Sequence, residues 1–321
     1  MTMILKYSIF HLYLYLILFY GCNQISTNNP QVESSWSIQN SGTNNNLKSV
    51  FFTDDNTGFA VGNAGIILKT VNSGITWQRI NTSLTTSNLY SIAFSNDLTG
   101  IAVGFNSTII RTTDLGLTWS LSDAPVNILL TSVLFLNNNT VIAAGYNGTI
   151  IKSTNSGINW FNITSPATSD LHGLCRVPNT SELYTCGIGG MVYYSNDGGS
   201  FWFAKNTNIS DNLYSIFFIN SYTGYACGSN GRIIKTVNSG LNWTLQNSRT
   251  TYALSSVFFS DSLRGYTVGD YGVILKTTDS GNNWIKDETV TMSYLRDIFI
   301  SVFNKGWIVG ENGTILYSSS P

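Results

Sequence analysis

Thr70-Val71-Asn72-Ser73-Gly74-Ile75-Thr76-Trp77 is the stretch whose reading decides the fold. It opens with a hydroxyl residue, sets a hydrogen-bond acceptor third and a glycine fifth, and ends on tryptophan. The same frame returns at 112–119, 153–160, 195–202, 236–243 and 277–284. The tryptophans Trp36, Trp77, Trp119, Trp160, Trp202, Trp243 and Trp284 are spaced by 41, 42, 41, 42, 41 and 41 residues, so one period governs the chain. A fixed period near 40 residues is the mark of a repeat architecture and has to be read before anything else.

Other features keep the same period. An apolar run opens each unit, as in Leu47-Lys48-Ser49-Val50-Phe51-Phe52. A Gly-x-x-Gly turn recurs at Gly62/Gly65, Gly145/Gly148, Gly187/Gly190, Gly228/Gly231, Gly269/Gly272 and Gly310/Gly313; after Gly104 the second glycine is missing. Apolar, β-branched runs separated by Gly, Asn and Asp read as strands joined by tight turns. Each unit then holds four strands, named A to D: the Leu47 run, residues 58–61, residues 66–69, and the segment beginning at the tryptophan. Four strands per period is propeller-blade spacing. The last unit, from Leu295, has A, B and C but no D, whereas Trp36 heads a D strand with nothing before it. The expected fold is therefore all-β, a seven-bladed propeller over residues 35–321 whose last blade is closed by the N-terminal strand.

Composition agrees. Charged residues are 10% of the 321 and aromatics 13%, which suits short strands and turns rather than helices. A net charge of −1 gives no reason to expect a nucleic-acid partner. Lys6, the apolar stretch 7–20 and Gly21-Cys22 read as a lipoprotein-type signal peptide over 1–21, with Cys22 lipidated and residues 22–34 a flexible tether. The chain is thus expected to be exported and lipid-anchored in a bacterial cell envelope, periplasmic or surface-facing, or else secreted. Cys175 and Cys186 flank the turn-like Pro178-Asn179-Thr180-Ser181; if the flanking strands pair around it, the two form a disulfide, the alternative being small apolar core residues. No cysteine spacing resembles a zinc site.

The Ser/Thr-x-Asp-x-Gly-x-Thr-Trp motif resembles the Asp box of bacterial neuraminidase repeats. With Gly-x-x-Gly-x-Ile-x-Lys-Thr ahead of it, the chain looks like the photosystem II stability/assembly-factor propellers over residues 35–318. The third position of the box is Asn72, Asp114, Asn155, Asp197, Asn238 and Asp279; half are neutral, so an acceptor suffices, the role is structural and no metal is expected there. The resemblance to assembly factors implies a non-catalytic module that holds a membrane-protein partner. No cofactor is expected, and a monomer is.

The binding candidates come from variation inside the repeat. The second residue of strand A is Lys48, Tyr90, Thr131, His172, Tyr214, Ser255 or Arg296, while its neighbours recur. Bases, aromatics and hydroxyls in one ring are the mixture of recognition surfaces; Lys48, Tyr90, His172, Tyr214 and Arg296 are the candidates for partner contact, against an ordinary solvated rim. A sialidase would need three converging arginines, and of the seven present only Arg296 is placed at the mouth. A carbohydrate-binding or glycoside-hydrolase propeller stays open as an alternative, with Asp270, Asp297 and Glu311 in blades six and seven as the carboxylates. A base also recurs at the end of strand C, at Lys69, Arg111, Lys152, Lys235 and Lys276, which gives either a positive stripe or long stems covering blade surface.

Overall fold

Seven four-stranded antiparallel sheets stand around an axis in the computed structural model, which describes residues 35–95 and 98–321. The signal segment 1–21, Cys22 and the tether 22–34 lie outside the described residues. Blade 1 has strands A (Leu47–Phe52), B (Gly58–Gly62), C (Ile67–Thr70) and D (Gln78–Arg79), running from the axis outward. Strand B is buried end to end in every blade. Strand D keeps mainly exposed residues and forms the outer edge.

Blade 7 has strands A (Leu295–Ile300), B (Gly306–Gly310) and C (Ile315–Ser318), and its D strand is Ser37–Gln39. Ser37 pairs with Tyr317, Ile38 with Leu316 and Gln39 with Ile315. The two ends of the chain thus share one sheet, as the tryptophan spacing requires.

The core is not one mass but seven clusters, one between each pair of neighbouring blades. A lone blade would leave both faces wet; two neighbours cover them, which is why the repeat is stable only in a ring. One aromatic pattern fills several of these seams. The ring ending strand A stacks on a ring from strand B of the preceding blade, as Phe94 on Phe59 at 4.4 Å, Phe218 on Tyr184 at 3.7 Å and Phe259 on Tyr225 at 3.9 Å. The same ring meets the box tryptophan of its own blade edge-on, as Phe218 with Trp243 at 6.0 Å. Gly58 is needed here, because a Cβ would lie 2.4 Å from the Phe52 ring.

In the box the third residue accepts from the turn, as expected. Thr76 N–H donates to Asn72 Oδ1 at 2.9 Å and Thr118 N–H to Asp114 Oδ1 at 2.8 Å, so amide and carboxylate do the same work. The bridge between Cys175 and Cys186 is not formed; both are free, buried thiols, as is Cys227. The register explains this: Cys175 pairs with Tyr184 and Cys186 with Gly173, so the two cysteines are offset along the hairpin rather than opposed.

Candidate functional site

The two ends of the ring differ in their loops. On one, A–B loops bond to C–D loops, as where Ser73 N–H donates to Asn56 O and Ser239 N–H to Tyr222 O. On the other, B–C turns bond to D–A loops, as where Ala64 N–H donates to Asn88 Oδ1 and Asn147 N–H to Asp170 Oδ1. The strands A begin at this second end.

In all seven blades the pairing of strand A with strand B slips at the second residue: Leu47 opposes Gly62 and Ser49 opposes Val61, leaving Lys48 unpaired. Lys48, Tyr90, Thr131, His172, Tyr214, Ser255 and Arg296 are each such a bulge residue. A bulge re-aims a side chain out of the sheet. Here it aims all seven at the axis, where they line a cavity of about 310 Å³. The structure therefore brings together every candidate residue that the repeat comparison singled out.

The mouth has two halves. In blades 2 to 5 it is aromatic: His172 lies edge-on between Tyr146, at 6.0 Å, and Tyr214, at 5.5 Å, while Lys48 Nζ stands 5.9 Å from the Tyr90 ring. In blades 6 and 7 it is ionic. Arg296 pairs with Glu311 from the B–C turn of its own blade and lies 3.5 Å from Asp270 of blade 6. Tyr294 stacks under the Arg296 guanidinium at 5.4 Å and continues into Tyr271 and Tyr252. Tyr294 and Tyr252 were not among the sequence candidates; their position just ahead of strand A is the signal that marks them.

The charges at this mouth are strained by burial. Burial, and then the neighbouring Arg296, pull the Lys48 ammonium below its usual range. Burial lowers His172 as well, with Asp170 opposing, so the imidazole is held toward its neutral form. Asp270 is pushed up by burial against the pull of Arg296. Two buried polar atoms here have no partner, His172 Nε2 and Arg296 Nε, and Asp270 Oδ1 has only the Arg296 guanidinium, at 3.5 Å and without a hydrogen bond. Unpaired polar groups in a concave wall are what a ligand satisfies.

Below the mouth the third residues of strand A form a ring, mostly of serine. Ser91 Oγ accepts from Val133 N–H at 3.1 Å and Ser215 Oγ from Val257 N–H at 3.2 Å, each bond crossing to the next blade. Asp297 occupies this ring in blade 7. It accepts from Val50 N–H at 3.0 Å and from Ser256 Oγ–H at 3.0 Å. Its expected place beside Asp270 and Glu311 is corrected: it is half-buried below the mouth and both its oxygens accept hydrogen bonds. Deeper still stand the half-buried rings of Phe51, Phe217, Phe258 and Phe299, with Phe51 and Phe299 5.5 Å apart. The mouth is thus a funnel, polar above and apolar below.

This geometry bears on the alternatives. Asp270 and Glu311 are both tied to the Arg296 guanidinium, one at each terminal nitrogen, whereas a hydrolase pair needs two carboxyls free to act on either side of a scissile bond. Among the described residues no group of three His, Cys, Asp or Glu could hold a metal ion. Four of the five bases ending strand C are donors between blades: Lys69 Nζ bonds Leu115 O at 2.6 Å, Arg111 Nε bonds Ser156 O at 2.6 Å, Lys152 Nζ bonds Gly198 O at 2.7 Å and Lys235 Nζ bonds Ser280 O at 2.7 Å. They do not make a free positive stripe. A larger depression, about 670 Å³, lies at the rim of blade 5 beside Arg249. Its other base, Arg232, is paired with Asp211 at 2.5 Å, and it has none of the mouth's converging unpaired groups.

Comparison with known proteins agrees with this architecture. A solved structure described as YCF48 bound to D1 peptide superposes with a TM-score of 0.78, covering 90% of this chain and 98% of that one at 22% identity. YCF48 from Cyanidioschyzon merolae gives 0.77, covering 89% and 99% at 20% identity. The RRP9 WD40 repeats give 0.73, covering 88% and 96% at 11% identity, so at these distances the likeness is one of fold. No curated protein matches the sequence. The model of the photosynthesis system II assembly factor YCF48 family matches residues 76–168 and 165–237, just over half of the 321 residues, and the chain belongs to that family.

Proposed function

We propose that this chain is a non-catalytic, exported and lipid-anchored propeller that holds a segment of a membrane-protein partner in its mouth and so assists assembly of an envelope complex. The observation that carries this is the bulged ring. Seven side chains are re-aimed into one funnel, and two of its buried polar atoms stand unsatisfied. Tyrosine, which recurs around the mouth, and arginine, present as Arg296, are residues enriched in protein-binding hot spots. A related fold has been solved with a peptide bound. Export and anchoring are supported by the 7–20 apolar stretch and Cys22.

The test is affinity capture from detergent-solubilised membranes of the native host. The wild-type chain is expected to recover one partner in stoichiometric amount, and Lys48→Ala/Arg296→Ala to lose it. Recovery of nothing specific by the folded wild type would overturn the proposal.

A further inference from the structure

Exposed aliphatic side chains are not spread evenly over the ring. Among the described residues, every loop leucine, isoleucine or valine that is exposed lies in an A–B or C–D loop. The C–D turns contribute Ile75, at 78% exposure, with Leu117, Ile158 and Leu241; the A–B loop of blade 7 contributes Val302 and Phe303, at 95% and 75%. The opposite end exposes Tyr146, Tyr252, Tyr271, Phe105 and Met292 and, among the described residues, no loop aliphatic, while Tyr222 and Phe201 lie on the aliphatic end. A ring of apolar tips on one end is a surface made for contact with something apolar.

What covers it follows from its chemistry and from where the chain enters. Protein-binding hot spots favour Trp, Tyr and Arg and are poor in Leu and Val. That describes the mouth and not this end, whose aliphatic tips match acyl chains. The closing strand Ser37–Gln39 takes the D position of blade 7, with Ser37 opposite Tyr317 at the foot of strand C. Its N-terminal end therefore stands where the other blades have their C–D turns, on the aliphatic end. The segment leading to it carries the apolar stretch 7–20, Cys22 and residues 23–34, which span at most about 40 Å when extended. A tether that short holds this end at high effective concentration beside whatever anchors it.

We infer that the A–B/C–D end is a lipid-docking face. Its aliphatic tips dip into the head-group boundary of the bilayer, and the mouth points away from the membrane toward extramembrane segments of the partner. Interfacial elements of this kind sit about 5–10 Å into that boundary. The inference rests on the anchored reading above, and the experiment separates the two.

The full chain is reconstituted in phosphatidylcholine vesicles carrying a lipid-borne nitroxide. A fluorophore is placed on Ile158→Cys or, at the opposite end, on Met292→Cys. Cys175, Cys186 and Cys227 are buried, and burial pushes the Cys175 and Cys227 thiols up to about 12, so the introduced thiol labels selectively within the propeller. Quenching at 158 is expected to exceed that at 292 severalfold, and to be lost in Ile75→Ser/Leu117→Ser/Leu241→Ser, whose changes are all at exposed sites. Equal quenching at 158 and 292 overturns the inference. So does shielding of 158 from an aqueous quencher without lipid quenching, which marks a protein on this face. Mass spectrometry of Cys22 reads the anchor separately: an unmodified Cys22 with strong quenching at 158 sinks the anchored reading and upholds the lipid-docking face.

Discussion

Blade 3 takes all four strands from one stretch, Leu130 to Ile163, whereas blade 7 takes three from the C-terminus and its outermost from Ser37–Gln39. In blade 3 a covalent turn fastens strand D to strand C, and Trp160 Nε1–H bonds Gly157 O of its own turn at 3.1 Å. Blade 7 has no such turn and is tied sideways to blade 1. Gln39 Nε2–H donates to Ser73 O at 3.1 Å and its Oε1 accepts from Trp77 Nε1–H at 3.1 Å. Trp307 Nε1–H reaches Ser73 O at 3.0 Å and Lys305 lies 3.6 Å from Asp55. The Trp307 bond has counterparts between continuous blades, as where Tyr184 Oη–H donates to Ser239 O at 3.1 Å, and the two Gln39 bonds add to it from the closing strand itself.

The largest effect should come from breaking this closure. Trp36 is 3% exposed and meets Tyr266 edge-on at 6.5 Å. Trp36→Ala should cost about 3–5 kcal/mol by lost burial alone. Trp160→Ala removes an equivalent ring from blade 3, where the covalent turn still holds the strand. Thermal melts should therefore show a larger loss for Trp36→Ala, as one cooperative transition. Equal losses would show that the closing strand depends on its tryptophan no more than a continuous blade does.

Next comes Asp297, the residue by which blade 7 departs from the serine ring. Asp297→Ala leaves Val50 N–H and Ser256 Oγ–H without their acceptor, at about 1–3 kcal/mol for each buried group. Asp297→Ser restores the residue that serves in blades 2 and 5, so it should cost much less. Burial raises this carboxyl above the ordinary range. The folded state then binds the proton more tightly than the unfolded one, so ionisation works against the fold. Stability from this group is greatest below the ordinary aspartate pKa and declines as pH rises to the raised value. Urea midpoints from about pH 4 to about pH 7 should show that decline in the wild type and its loss in Asp297→Ser. An unchanged pH profile would remove the Asp297 carboxyl from the account.

Much of this was legible in the sequence because the repeat supplies its own controls. Tryptophan spacing gave the blade number and the shared last sheet, since an orphan D strand and a blade lacking one can only complete each other. Comparing seven copies of strand A isolated the mouth residues. What stayed hidden depends on register, which no single strand encodes. The bulge that aims Lys48 and its counterparts at the axis shows only in the pairing of strand A with strand B, although serine follows it in five of the seven blades. The hairpin around 178–181 left two readings open for Cys175 and Cys186, a bridge or small core residues, and the observed register, which gives Cys175 to Tyr184, fits the second. Asp297 was grouped with Asp270 and Glu311 by charge, although its column, Ser49, Ser91, Ser132, Ser215 and Ser256, already marked an inward position. The lysines ending strand C look like a charged stripe in sequence and prove to be donors to a neighbouring blade's carbonyls.

The smallest effect concerns the turn that blade 7 lacks and the other six share. In blades 2, 4 and 6 its acceptor is an aspartate and in blades 1, 3 and 5 an asparagine. Bonds from the Thr118 hydroxyl and N–H hold Asp114 down to about 2. A carboxyl held below its unfolded value of about 3.9 contributes stability above that value and loses it as pH falls toward the folded one. Asparagine makes the same backbone bond at Asn72 without titrating. Asp114→Asn should therefore be close to neutral at about pH 7, within the roughly 0.5 kcal/mol typical of surface changes. It should shallow the acid limb of the stability curve, and Asn72→Asp should steepen it. If neither substitution alters that limb, the alternation between blades carries no charge effect, and the turn needs only an oxygen that accepts.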